Sequence, residues 1–195
     1  MKENILFPVI SDFSEFPGSR LYCSEETAGR IRKEISAIPL HAIHLLGTGD
    51  WHYVSLFWLE RIDRPFTLVL FDNHPDDQPC AFGEELLSCG SWVRDAVKLP
   101  FCKGVLWNPE SATTDDEVYI SIDLDVLSPE YARTNWDQGG MTIPDLLGRL
   151  REFRRRCGII GVDICGGLPD DCRVNAEAEN AISGIFSCTC QESSL

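Results

Sequence analysis

The 195-residue sequence lacks any apolar run approaching the roughly 18 residues a membrane-spanning helix needs. Its first stretch, MKENILFPVISDF, has neither a sustained apolar h-region nor a small-residue cleavage site. These absences predict a cytoplasmic protein with no membrane partner. Basic charge is also scarce: 17 Lys and Arg stand against 31 Asp and Glu, a formal net charge of −14. Such a surface repels phosphate backbones, which argues against nucleic acid as a partner. There is no low-complexity tract, internal repeat or Pro/Gly/Ser linker, so residues 1–195 read as a single domain with one core. Paired cysteine motifs are missing too. The nine cysteines (23, 80, 89, 102, 157, 165, 172, 188 and 190) are odd in number and irregularly spaced. Cys188 and Cys190 form a C-x-C without a second pair at zinc-finger spacing. In a reducing compartment most of the nine are expected to be small buried apolar residues.

What is present is an alternation of short β-rich runs with amphipathic stretches. SEETAGRIRKEISAI predicts a helix with Ser24 as N-cap and Ile31, Ile35 and Ile38 on one face. AIHLLGTG reads as a strand entering a glycine turn, WHYVSLFWLERI as a helix and FTLVLFD as a strand. GEELLSCGSWVRDAV has a helical pattern weakened at Gly90. KGVLW, EVYISIDLD and GIIGVDICGG are further strands. MTIPDLLGRLREFRRR predicts a helix with Thr142 as N-cap and Pro144 in its first turn, and NAEAENAISGIFS predicts the last helix. Strands alternating with helices argue for an α/β fold, a mainly parallel sheet with helices on both faces.

In such sheets binding sites form beyond the carboxyl ends of the strands. The segments there are GTGDWH with His52, then DNHPD with Asp72, His74 and Asp76, then the end of EVYISIDLD with Asp123 and Asp125. Side chains two apart on a strand share a face, so Asp72 with His74, and Asp123 with Asp125, are expected to point together. Asp72, Asp76, Asp123 and Asp125 brought close without cations would repel one another and be pushed toward protonation. Two divalent cations would cancel them. A lone D-x-H reads first as turn chemistry, and a lone D-x-D is ambiguous. Both at the ends of different strands, with GTGDWH upstream, point to a metal site. Carboxylates and imidazoles with no obvious thiolate suit Mn²⁺, with Fe²⁺ or Co²⁺ able to substitute and structural Zn²⁺ less suited.

These segments resemble the ureohydrolase family of arginase, agmatinase and formimidoylglutamase. The family motifs G-G-D-H, D-A-H-x-D and S-x-D-x-D-x-x-D-P stand here as GTGDWH, DNHPD and SIDLDVLSP. DQGGMT is similar to the family's G-G-(L/M)-T turn, and GVDICGG to its G-x-D-x-x-E segment. The resemblance implies an arginase-like three-layer α/β/α fold and a binuclear manganese centre acting on a small-molecule substrate. It implies His52, Asp72, Asp76 and Asp123 as ligands of one ion, with His74 and Asp125 on the other. Asp72 and Asp123 would bridge the two. The implied reaction is hydrolysis of a linear C–N bond of guanidino, amidino or formimino type, with Asp76 or Asp125 positioning the nucleophile or taking its proton. Members of the family commonly assemble as homo-oligomers.

The departures matter as much. Gly166 stands where the family carries a guanidinium-pairing glutamate, and Cys89-Gly90 stands where several members carry His-Gly for proton transfer. Cys89 is the candidate proton shuttle, or only a packed residue. Ser128 replaces the third aspartate of the long motif. A true arginase is therefore not expected; a hydrolase of divergent specificity is. The rival readings are a deacetylase-like amide hydrolase and a metal-binding scaffold without turnover. Asp163 is expected behind the ligands as a hydrogen-bond acceptor. His41 and His44 read as structural, and Trp51 and Trp136 as core or rim residues that could wall a pocket.

Overall fold

Continuous apolar runs flanked by turn residues make the central strands, and the computed structural model, which describes residues 5–79, 86–168 and 173–187, shows how they pair. The strands are β1 (Pro8–Ile10), β2 (Tyr22–Cys23), β3 (Ile43–Gly47), β4 (Phe66–Phe71), β5 (Leu87–Ser88), β6 (Cys102–Trp107), β7 (Val118–Asp123) and β8 (Ile159–Cys165). The helices are α1 (Glu25–Ile35), α2 (Val54–Leu59), α3 (Val93–Ala96), α4 (Ile143–Arg156) and α5 (Arg173–Ser187). Six strands form one sheet in the order β1-β3-β8-β7-β4-β6, and every pairing in it is parallel. β4, β7 and β8, at its centre, are buried along their whole length.

Alternation along these strands divides the apolar side chains between two layers. Val69, Phe71, Ile120, Ile122, Val162 and Ile164 pack with Leu146, Leu150 and Phe153 of α4 and Ile182 and Phe186 of α5. Leu68, Leu70, Tyr119 and Ile160 pack on the opposite face with Ile31 and Ile35 of α1, Phe57 and Trp58 of α2 and Ala96 of α3. The three-layer α/β/α arrangement expected from the pattern is present. Both expected caps form: the Ser24 hydroxyl accepts from the Thr27 N–H and the Thr142 hydroxyl from the Asp145 N–H. No helix among the described residues is long and apolar enough to cross a membrane.

The helix expected over residues 83–97 is a correction. Leu87–Ser88 form an antiparallel ladder with Tyr22–Cys23, Cys89 and Gly90 turn, and among its described residues only Val93–Ala96 are helical, residues 83–85 lying outside them. The pairing partner lies some sixty residues earlier in the chain, so local periodicity carried no trace of it. Asp72 and His74, and likewise Asp123 and Asp125, do not owe their direction to strand alternation. β4 ends at Phe71, and Leu124–Val126 form a 3-10 turn directly after β7. Hydrogen bonds in these turns, described below, do the aiming.

Candidate functional site

Beyond the carboxyl ends of β3, β4 and β7 lies a cavity of about 400 Å³. Its lining includes His52, Asp72, His74, Asp76, Asp123 and Asp125 together with Cys89 and Trp136. All six side chains expected from the sequence as ligands thus meet at one place. They fall into two groups that share Asp72. Ligand-capable atoms of His52, Asp72 and Asp76 lie within 4.8 Å of one another, as do those of Asp72, His74 and Asp125.

In the inner group, His52 Nδ1 faces Asp72 Oδ2 at 3.1 Å, Asp76 Oδ2 at 3.0 Å and Asp123 Oδ2 at 3.6 Å. Burial alone would lower the pKa of His52. The Cys165 sulfur and the Asp72 and Asp76 carboxylates instead raise it well above the ordinary histidine value. The groups around this nitrogen thus favour positive charge there. The opposite ring nitrogen is held from beneath: Nε2 is 2.9 Å from Ser121 Oγ, and Ser121 donates its own proton to Asp163 Oδ1 at 2.6 Å. With that single proton committed, Ser121 can only accept from Nε2–H, which turns Nδ1 toward the carboxylates. Asp163 thus sits where the sequence places it, behind a ligand, but acts through Ser121.

Asp76 has φ 48°, a left-handed conformation uncommon for a residue with a side chain. Two contacts from one helix entry hold it there. The Trp92 indole donates to Asp76 Oδ2 at 2.7 Å, and the Val93 N–H donates to the Asp76 carbonyl at 3.1 Å.

In the outer group, His74 Nδ1 lies 2.9 Å from Asp125 Oδ2 and 3.6 Å from Asp72 Oδ1. Asp72 foremost, with Asp125, raises the His74 pKa to about 9. Burial and the neighbouring Asp123 and Asp72 push Asp125 up to about 8, and burial with Asp72 raises Asp123 to about 6. Burial opposes ionisation of Asp72 as well, yet its bonds to His52 and His74 bring it down to about 2. The upward shifts of Asp123, Asp125 and Asp76 mark carboxyls crowded together with too little positive charge, the condition in which a divalent ion is favoured. The residues present therefore fit a cation pair.

The turns are fixed by backbone donors. His74 N–H donates to Asp72 Oδ1 at 2.6 Å, Asn73 N–H to Asp125 Oδ1 at 3.0 Å, and Asp125 N–H to Asp123 Oδ1 at 2.8 Å. Past the end of the β4–β6 ladder, Asn108 takes over the pairing. It accepts from the Asp72 N–H at 3.1 Å and donates to the Asp72 carbonyl at 2.6 Å, while the Trp107 indole donates to the same carbonyl at 2.9 Å. In the DQGGMT turn, a Cβ on Gly139 would come 2.7 Å from the Val126 carbonyl, so this close approach behind Asp125 requires glycine.

Gly166, at the end of β8, has φ +95°. A Cβ there would lie 2.1 Å from Asp123 Oδ1 and 2.8 Å from the Leu124 nitrogen. Cys89 lines the cavity, and burial first, then Asp76 and Asp50, push its thiol up to about 12. Trp136 also lines it, its indole donating to Asp50 at 3.2 Å, whereas the Trp51 indole donates to Ser19 away from the cavity. His44 is buried, stacked on Trp58 at 3.7 Å between ring centres, and His41 bonds the Ile160 carbonyl; neither lines the site. Cys188 and Cys190 lie outside the described residues.

Sequence reasoning missed Ser121, Trp92, Asn108 and Cys165. Ser121 and Cys165 carried a findable signal, since each stands two residues from an acid already singled out on the same strand.

The comparisons follow from this geometry. The Arginase family model matches residues 102–189. An uncharacterized protein of Thermotoga maritima is 37% identical over 150 residues, which are 66% of this chain and 60% of that protein. A hypothetical agmatinase from Burkholderia thailandensis superposes with a TM-score of 0.65 at 20% identity, over 84% of this chain and 64% of that one. The formiminoglutamase of Trypanosoma cruzi with Mn²⁺ gives 0.63 at 12% identity, over 84% and 72%. The chain thus spans less than two thirds of the Thermotoga and Burkholderia proteins. At these identities the solved structures show the fold, and the family model reaches from β6 to the last helix across β7 and β8. Residues 102–189 of the chain thus match the arginase family, and its fold is the arginase-like fold of the ureohydrolases.

Proposed function

We propose that this protein is a metal-dependent hydrolase of a linear C–N bond in a guanidino, amidino or formimino compound, with a specificity other than that of arginase. The observation that carries the reading is the pair of histidine–carboxylate groups sharing Asp72 on the floor of the cavity. His52, Asp72, Asp76 and Asp123 would hold one divalent cation. His74 and Asp125 would hold the second together with Asp72 and Asp123. Mn²⁺ suits this oxygen-rich set, and the Trypanosoma formiminoglutamase with the same fold was solved with Mn²⁺. When bound, two such cations lower the pKa of a shared water and polarise a substrate atom.

The chain's own groups then have separate tasks. Ser121 and Asp163 fix the His52 ring, and Trp92 holds Asp76 in its left-handed turn. Asp125, half of the outer pair, is the group placed to receive a proton beside His74. Cys89 keeps its proton near neutral pH and serves as cavity wall. Trp136 offers a flat apolar face at the mouth for a substrate body.

A metal-binding scaffold without turnover is the second reading. The observation that favours it is the crowding at Gly166, which leaves no room for a side chain to grip a planar cation from β8. Protein purified from manganese medium should carry about two ions per chain by elemental analysis. It should also release urea or ammonia from at least one guanidino, amidino or formimino compound. Fully loaded protein that releases neither across such a panel would leave the scaffold; protein with no bound divalent ion would end both readings.

A further inference from the structure

Seven side chains, not six, converge on the candidate centre. The additional one is Cys165, the last residue of β8, 1% exposed. Its sulfur and the ligand-capable atoms of His52 and Asp123 lie within 4.8 Å of one another. The thiol donates to Asp123 Oδ2 at 3.2 Å, the same oxygen that faces His52 Nδ1 at 3.6 Å. Two donors at about 2.3 Å (sulfur) and about 2.1 Å (oxygen) from one ion, subtending roughly 90–110°, are about 3.1–3.6 Å apart. The sulfur–oxygen separation therefore already matches that of two ligands on one ion. The outer group of Asp72, His74 and Asp125 includes no sulfur.

We propose that Cys165 is a ligand of the inner cation, beside His52 and Asp123, and biases that position toward a softer ion, Zn²⁺ or Co²⁺, than the outer position selects. The inference rests on the metal centre proposed above. On loading, the Sγ–H bond breaks, the proton passes to solvent, and the sulfur–metal bond forms with no change of oxidation state. Thiolate is the softest donor in the set, and softness with geometry decides which ion a mixed site prefers. The alternative is a thiol that only packs among Leu46 and Ile160 and donates to a carboxylate.

Cobalt distinguishes the two, because a thiolate on Co²⁺ gives an intense near-ultraviolet charge-transfer absorption that oxygen and nitrogen ligands do not. Metal-free full-length protein, Cys165→Ser and Cys89→Ser would each be titrated with Co²⁺, and bound cobalt counted by elemental analysis. The band is expected in the wild type and in Cys89→Ser and absent in Cys165→Ser, although cobalt still binds that variant. Zn²⁺ affinity of Cys165→Ser should fall by at least about ten-fold, the lower end of what even outer partners of ligands contribute, and Mn²⁺ affinity should fall less. Cys165→Ala replaces the serine variant if a hydroxyl in this apolar wall prevents folding. Bound cobalt without the band in the wild type, or a band that survives loss of Cys165, overturns the proposal while leaving the metal centre standing. Failure to bind cobalt or manganese at all overturns both.

Discussion

The inner and outer halves of the centre share Asp72 but not their surroundings. His52 has 1% of its side chain exposed, with Trp92 against its ring, Ser121 and Asp163 beneath it and three carboxylates above. His74 is 38% exposed, and its aromatic neighbour Trp136 is itself at the surface. The inner half is buried and tied to protein groups on both sides of the His52 ring, whereas the outer half is held by turn backbone and open to water. A buried, fully partnered group costs more to disturb than an exposed one. An ion held in the inner half should accordingly be bound more tightly and exchange more slowly.

The sharpest test removes what both halves share. Asp72→Asn should bring the metal content from about two ions per chain to below one, by elemental analysis after dialysis. Retention of both ions would mean that Asp72 is no bridge. Next come the two histidines. His52→Ala leaves Ser121 and Asp76 short of a partner and should cost roughly 1–3 kcal/mol of stability, visible as a drop in Tm. His74→Ala should cost less stability than His52→Ala, while losing the outer ion. Equal Tm losses would break the comparison.

Asp163→Asn or Ser121→Ala should then weaken metal binding about 10–100-fold by freeing the His52 ring, with the outer ion little affected in a two-step titration. The pH response of metal-free protein is expected to be gentler, with the outer half contributing alongside the raised His52 and Asp123. His74, raised to about 9 from 6.5, contributes stability that is complete below pH 6.5 and lost as pH rises through 9. Asp125, raised to about 8 from 3.8, also holds its proton more tightly when folded, so its contribution is likewise lost as pH rises through 8. The two titrate as a pair. Tm of metal-free protein should therefore fall as pH rises from about 3.8 through 9, and Mn²⁺ or His74→Ala should flatten the slope. Cys89→Ser is expected to have the least effect, with metal content unchanged.

The chain's own pattern made some of this legible. β4, β7 and β8 are uninterrupted apolar runs, and a run that is buried on both faces announces itself without a partner. β1, with Pro8 at its start and Ile10 exposed, and the two-residue β2 and β5 depend on neighbours distant in sequence. The acids and histidines of the centre were visible because carboxylates are out of place after a buried strand. Their support was not. Nothing in WNP, residues 107–109, says that Asn108 will continue a ladder, and nothing in SCGSW, residues 88–92, says that an indole will hold Asp76. Cys165 was passed over because a cysteine in an apolar strand is most economically read as packing, a reading that its place at the strand's last residue undermines.

The positive φ at Gly166 has a consequence for which substitutions the end of β8 can take. The main chain there presses so closely on Asp123 that the position is closed to every L-amino acid unless β7 and β8 move apart. A glutamate placed there would not simply add a carboxylate to the cavity; it would displace the side chain of Asp123. The two positions are therefore locked together. Any side chain at 166 would need concerted changes in both strands, which a single substitution does not supply.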